Sequence, residues 1–193
     1  METNWHVGTA AEAIAAAQLA RCGWDVSVQY GANQPEYDLI AAKGDLMLKV
    51  SVKGSNNGEW GLTQSFLEKQ EKRRDAEGKP VKGPPPSYHA AVDLWLTRHT
   101  RHTIFFLVQF WGVPLSQLPR IYVATPAEVA QRLKETSKGR GDTILYEDKK
   151  WAPTAHGAGT VEELPKTWEF SPQRLTELAQ QLTGVSLPPT VDV

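Results

Sequence analysis

The stretch Leu46-Met47-Leu48-Lys49-Val50-Ser51-Val52-Lys53 decides the fold. Read with a period of two, it places Leu46, Leu48, Val50 and Val52 on one face, and Met47, Lys49, Ser51 and Lys53 on the other. That is the signature of a strand with one apolar side. Immediately upstream, Lys43-Gly44-Asp45 forms a tight turn, and residues 37–42 form a short β-prone run. Before a turn at 31–35, residues 24–30 alternate again, so three consecutive strands make a meander.

Working outward, Thr9 precedes the Ala-rich residues 10–20, a composition of high helix propensity that stops near Gly23. On such a helix Gly8, Glu12, Ala15, Ala16 and Leu19 share one side. Downstream, residues 54–61 are polar and glycine-containing, a loop, and 62–74 read as a helix. Pro80, Pro84, Pro85 and Pro86 make 78–87 an exposed excursion. Residues 89–99 have helical spacing, and 104–110 form a continuous apolar run suited to a strand buried on both faces. A short strand follows at 121–124. Thr125-Pro126 then opens a helix to about Glu135. Residues 143–146 suit an edge strand, and Ser171-Pro172 starts an amphipathic helix carrying Leu175, Leu178 and Leu182. The expected class is α/β, a sheet core with helices packed on it. The expected organisation is one domain over 1–182 with a tail at 183–193.

Composition narrows the function. The 193 residues are 40% hydrophobic and 22% charged, which excludes disordered and fibrous classes. The net charge is −1, so any polyanion-binding surface is local. A single cysteine, Cys22, excludes an internal disulfide framework and a Cys-rich zinc site. No signal-like or membrane-spanning run is legible, and a cytoplasmic protein with no membrane partner and no small-molecule cofactor is expected.

Three segments in order carry a resemblance: Gly8-Thr9-Ala10-Ala11-Glu12 on the first helix, Tyr37-Asp38-Leu39-Ile40, and Val50-Ser51-Val52-Lys53-Gly54-Ser55. Together they resemble the PD-(D/E)XK nuclease superfamily, especially its Holliday-junction-resolvase-like and small endonuclease-like members. More loosely, Leu164-Pro165-Lys166-Thr167-Trp168-Glu169-Phe170-Ser171 looks like the C-terminal end of some members. The resemblance implies a restriction-endonuclease-like mixed sheet flanked by helices, and a DNA phosphodiesterase using Mg²⁺ or Mn²⁺. It implies that Asp38, Glu12 and the Val52 carbonyl hold the ion while Lys53 assists the attacking water. Hydrolysing a phosphodiester needs an activated water and neutralisation of phosphoryl charge, which a carboxylate-held cation and an ammonium supply.

The residue two before the lysine, an acid or sometimes glutamine in the family, is Ser51 here. A hydroxyl is neutral and short, so it does not replace a carboxylate's charge at a hard cation. Three readings stay open: Glu12 compensates, Ser51 binds through water, or catalysis is lost and a nucleic-acid-binding or protein-interaction module remains. Each residue also has an ordinary reading. Glu12 would complement the dipole in the first helical turn, and Asp38 and Lys53 would be solvated charges at strand edges.

Candidate nucleic-acid contacts lie in basic clusters, Arg73 and Arg74 in one, Arg98 and Arg101 in another, with Arg132, Lys134, Lys138 and Arg140 as a third. Solvated, charge-paired helix faces are the alternative. His99 and His102 read as a surface pair rather than a metal site. Trp60, Trp111 and Trp151 read as packing residues before base-stacking ones. The resemblance further implies a homodimer, with Phe105 or Trp111 as exposed apolar candidates for its contact.

Overall fold

The alternation at residues 46–53 is realised as the longest strand of the computed structural model, which describes residues 3–29, 36–71, 87–99 and 101–185, the side chains of 68–71 excepted. The elements, in chain order, are α1 (Asn4–Arg21), β1 (Asp25–Val28), β2 (Leu39–Lys43), β3 (Leu46–Ser55), β4 (Glu59–Gly61), α2 (Gln64–Glu71), α3 (Tyr88–Leu96), β5 (Thr103–Gln109), β6 (Arg120–Ala124), α4 (Pro126–Glu135), β7 (Ile144–Tyr146), β8 (Asp148–Lys150), β9 (Val161–Glu163), a 3-10 turn (Lys166–Trp168) and α5 (Pro172–Thr183). They fall into two compact units. One is built from Met1–Gly58, His99–Pro126 and Leu164–Val193, the other from Glu59–Arg98 and Ala127–Glu163.

The first unit holds a five-stranded sheet in the order β1-β2-β3-β5-β6. The expected meander is there: β1 pairs antiparallel with β2, and β2 with β3 through a turn in which Gly44 has φ of +57°. β5 joins β3 in parallel and β6 joins β5 antiparallel, so the sheet is mixed. Helices flank it, giving the expected α/β architecture of a mixed sheet with helices packed on it. Val50, Val52, Ile104, Phe106 and Val108 form the core with Ala11, Ala15 and Leu19 of α1 and Leu175, Leu178 and Ala179 of α5. Each fully buried large side chain among them contributes about 1.5–3 kcal/mol. β5 is buried along all seven residues, as its unbroken apolar run predicts. Phe105 is therefore a core residue at 0% exposure and offers nothing to a subunit contact, contrary to its reading as an exposed edge.

The first helix differs from expectation at its start. It begins at Asn4, capped by Thr3: the Thr3 hydroxyl accepts from the His6 N–H, and His6 Nδ1 accepts from the Thr3 N–H. A histidine fills the position where a capping box ordinarily has Glu or Gln, so the start signal is hidden. The buried stripe is Val7, Ala11, Ala15, Gln18 and Leu19, one residue out of phase with the side expected from Gly8 and Glu12. Among the described residues no helix is long and apolar enough to cross a membrane.

In the second unit β4 pairs with β7 and β8 with β9, two small sheets where the sequence showed a loop and one edge strand. Ser87 caps α3. Lys134 pairs with Asp93 and Arg132 with Glu162, and the Arg140 guanidinium lies over Tyr88, so three members of the third basic cluster are engaged internally. Trp60 is buried, and Trp151 donates its indole N–H to Glu162. The prolines of the excursion lie outside the described residues.

Candidate active site

Strand β3 outruns its neighbour. The β2 ladder ends at Leu39 opposite Val50, while β3 continues to Ser55 against β5 alone. Along residues 51–55 the β2 side of β3 is thus an open backbone edge, and Asp38, just before β2, turns into it. The Asp38 N–H donates to the Val50 carbonyl at 2.8 Å, and its Oδ2 accepts from the Val52 N–H at 2.6 Å. A strand residue points its N–H and C=O to the same side, so the Val52 carbonyl faces this carboxylate-lined edge too. Asp38 is fixed by the backbone and is not the freely solvated strand-end charge of the ordinary reading.

Lys53 is the next strand residue, half-buried, on the face of β3 that also carries Ser51. Ser51 is 1% exposed and pairs in register with Phe105. Gly54 explains how the third element arrives. A Cβ there would lie 2.7 Å from the Val7 carbonyl oxygen and 3.0 Å from the Ala11 Cβ, so α1 crosses β3 as closely as backbone permits. Glu12 follows Ala11 and is brought to the same end of the strand.

Electrostatics records the convergence. The Glu12 carboxyl is pushed above its ordinary value, first by burial and then by the charge of Asp38, with Lys53 pulling the other way. Glu12 therefore feels both of the other two charges. Because Glu12 lies in the third turn of a helix starting at Asn4, and no acid occupies the first turn, the dipole reading of this residue is removed.

His99 is the residue that spacing did not find. It does not share a helical side with His102: α3 ends at Leu96, and His102 is exposed. The His99 ring packs edge-on against Phe105, with centroids 5.0 Å apart, and its pKa falls to about 4 through burial and the nearby Lys53 ammonium. No sequence pattern signals this, because the contact needs the β3–β5 ladder. Gly54 did leave a signal, a glycine inside a strand, but read as a loop it was lost.

A hard divalent cation takes oxygen ligands, commonly one or two carboxylates completed by water. Glu12 and Asp38 supply two, and the Val52 carbonyl faces the same edge. The repulsion that Asp38 imposes on Glu12 is what a cation between them cancels. The donor set therefore fits such an ion, with less charge than an acid at residue 51 would give. Among the described residues no group of three or more His, Cys, Asp or Glu side chains is placed so that it could hold a metal ion.

Of the other expected contact residues, Arg101 is exposed in the sheet unit and Arg98 is exposed in the second unit. Arg73 and Arg74 lie outside the described residues.

In comparison with known proteins, the family model described as PD-(D/E)XK endonuclease aligns with residues 2–137. No curated protein matches. Among solved structures, the bacterial homing endonuclease I-Ssp6803I is similar at 18% identity over 66% of this chain and 69% of that one, with a TM-score of 0.33.

Proposed function

This chain belongs to the PD-(D/E)XK endonuclease family, whose members generally use divalent metals, and from that premise we propose that it is an Mg²⁺- or Mn²⁺-dependent endonuclease hydrolysing phosphodiester bonds in DNA. The observation that supports the proposal is Asp38 held on the open edge of β3 by the Val52 N–H, next to Lys53 in that strand, while Gly54 admits the helix that carries Glu12. In this reading Asp38 and Glu12 hold the cation, with the Val52 carbonyl as a further ligand. When bound, the cation supplies Lewis acidity towards the phosphoryl oxygens and makes a coordinated water more acidic.

The chain's own residues do the rest. Asp38, pinned by the Val52 N–H, presents its other oxygen without rotamer search, the preorganisation that electrostatic catalysis needs. Lys53 directs the attacking water and balances charge growing on the phosphoryl oxygens. His99, neutral at physiological pH given a pKa near 4, adds no second positive charge to compete with that lysine. Ser51 contributes a hydroxyl to the cation's water shell rather than a charge. Pairing of two subunits, further implied by the family, is checked by the mass of the protein in solution; Trp111, 62% exposed, is the remaining candidate contact.

Ser51 also favours a second reading, a member that has lost hydrolysis and keeps nucleic-acid binding. Cleavage of linear, supercoiled and branched DNA with Mg²⁺ or Mn²⁺ decides between them. The nuclease reading expects cutting by the wild type and a loss of at least about a thousandfold in Asp38→Asn and Lys53→Ala, in the range of removing a major transition-state interaction. Equal cutting by all three proteins overturns this site. Binding without cutting establishes the second reading.

A further inference from the structure

The face of β3 that carries Lys53 also presents Met47 and Lys49. Beside them is an open pocket of about 280 Å³ lined by Met47, Lys49, Arg101 and His102. The strand and the following segment are tied together there. The Lys49 N–H donates to the His102 carbonyl at 2.8 Å, and Thr103 pairs with Lys49 at the start of the β3–β5 ladder. The Lys49 ammonium lies 5.1 Å from the centre of the Tyr37 ring, a cation–π contact that leans it towards the end of the strand where Asp38, the next residue after Tyr37, is held.

None of the four lining residues is acidic. Two permanent cations and an imidazole stand over a wall made by Met47, 56% exposed, and by the methylene stems of Lys49 and Arg101. Such a lining selects an anion joined to something flat or apolar, the composition of a nucleotide unit. Four residue steps of extended strand separate Lys49 from Lys53, roughly 13 Å at about 3.3 Å per step. A nucleic-acid strand repeats its charges at intervals of a few ångströms, so one strand can meet both lysines.

We propose that this pocket is a second phosphate subsite, which grips the DNA backbone a few nucleotides from the phosphate at Lys53 and seats the adjoining sugar or base against Met47. The inference rests on the nuclease reading of the Lys53 end and adds to it a defined track for the strand. Lys49 and Arg101 are positioning residues and take no part in breaking the bond.

Anisotropy of a labelled DNA duplex, measured in a chelator so that nothing is cut, tests the subsite. Lys49→Ala and Arg101→Ala are each expected to weaken binding about three- to tenfold and to reduce the slope of log affinity against log salt by about one. The exposed Lys150→Ala is expected to leave that slope unchanged. With Mg²⁺ restored, both pocket variants are expected to raise KM and keep kcat. Unchanged binding and slope in the Lys49→Ala/Arg101→Ala double variant overturn the subsite, and wild-type cleavage then leaves the nuclease reading standing. Wild-type binding without cleavage, with the slope losses intact, overturns the nuclease reading and retains the subsite. Saturation of the pocket by inorganic phosphate, seen as shifts of the His102 ring signals, without displacement of DNA assigns the pocket to a free anion and also overturns the proposal.

Discussion

Glu12 in the sheet unit and Glu162 in the second unit are the same side chain held in opposite conditions. Burial works against the charge of both. At Glu162, 6% exposed, it is outweighed: the carboxylate accepts from the Ser137 N–H at 2.9 Å, the Trp151 indole at 3.1 Å and Arg132 at 2.8 Å, and its pKa falls below the ordinary value. At Glu12 burial is reinforced by Asp38 and only partly offset by Lys53, so the pKa rises. A buried acid whose lone pairs are met by donors is a fastening. A half-buried acid set beside another acid is left in deficit, and in the proposed reading that deficit is what a bound cation would cancel.

The largest effect that separates the two comes from Glu162→Ala. Arg132, its side chain 17% exposed, would lose its partner while an indole and an amide lose their acceptor. We expect a loss of about 2–4 kcal/mol in urea unfolding, with DNA cleavage per folded molecule unchanged. Stability should respond to pH in the same sense. Because the folded pKa of Glu162 is depressed, its contribution is in place above about 4.5 and is lost as the pH falls through the lower folded value. A protein whose unfolding free energy holds constant from pH 5 to 2 contradicts this.

His99 sharpens the other side of the comparison. Its folded pKa of about 4 lies below the ordinary 6.5, so the unfolded chain takes up the proton first and this residue's stabilisation is lost as pH falls from about 6.5 to about 4. The ring's NMR titration should have its midpoint near pH 4 in the wild type. In Lys53→Ala the midpoint should move up, by less than the whole displacement, because burial is the larger cause. A midpoint indifferent to Lys53 separates the histidine from the site.

Ser51→Asp probes the deficit directly. Adding a third carboxylate at a position 1% exposed should cost about 1–3 kcal/mol without metal, and Mg²⁺ should restore it. The Mg²⁺ midpoint of thermal stabilisation should fall about tenfold relative to wild type. Equal midpoints would mean that residue 51 does not face the ion.

The smallest expected effect is that of Glu12→Gln. Removing a charge whose pKa is raised relieves the metal-free protein, so its melting temperature should stay level or rise by about 1–2 °C, while Mg²⁺ stabilises it less than it stabilises the wild type. A clear fall in metal-free stability would make Glu12 a fastening like Glu162.

Much of the sheet unit was legible because its elements carry local signals. The alternation at 46–53, the apolar run of β5, Thr125-Pro126 and Ser171-Pro172 each declare an element from within their own few residues. Asp38, just before β2, and Lys53, within β3, were paired through the family resemblance rather than from any local period. What was not legible depends on distant partners. β4, β8 and β9 are three residues each, too short for any period to register. The start of α1 is set by a histidine in a capping role, and the placement of His99 depends on a ladder between strands about fifty residues apart in the chain. Phe105 was misread as exposed because a residue's solvent contact in an all-apolar run depends on what covers each face, which the run itself does not encode.

Gly54 shows how much can rest on an atom that is missing. Next to Lys53 in the strand and against the turn of helix that carries Glu12, its lack of a methyl sets the gauge between two charge-bearing elements. Widening that gauge by one carbon would leave every ionisable group of the site in the sequence, yet part the carboxylate from its counterparts. A close tolerance beside the site thus lies at a residue with no chemistry of its own, and an inventory of reactive side chains would pass over it.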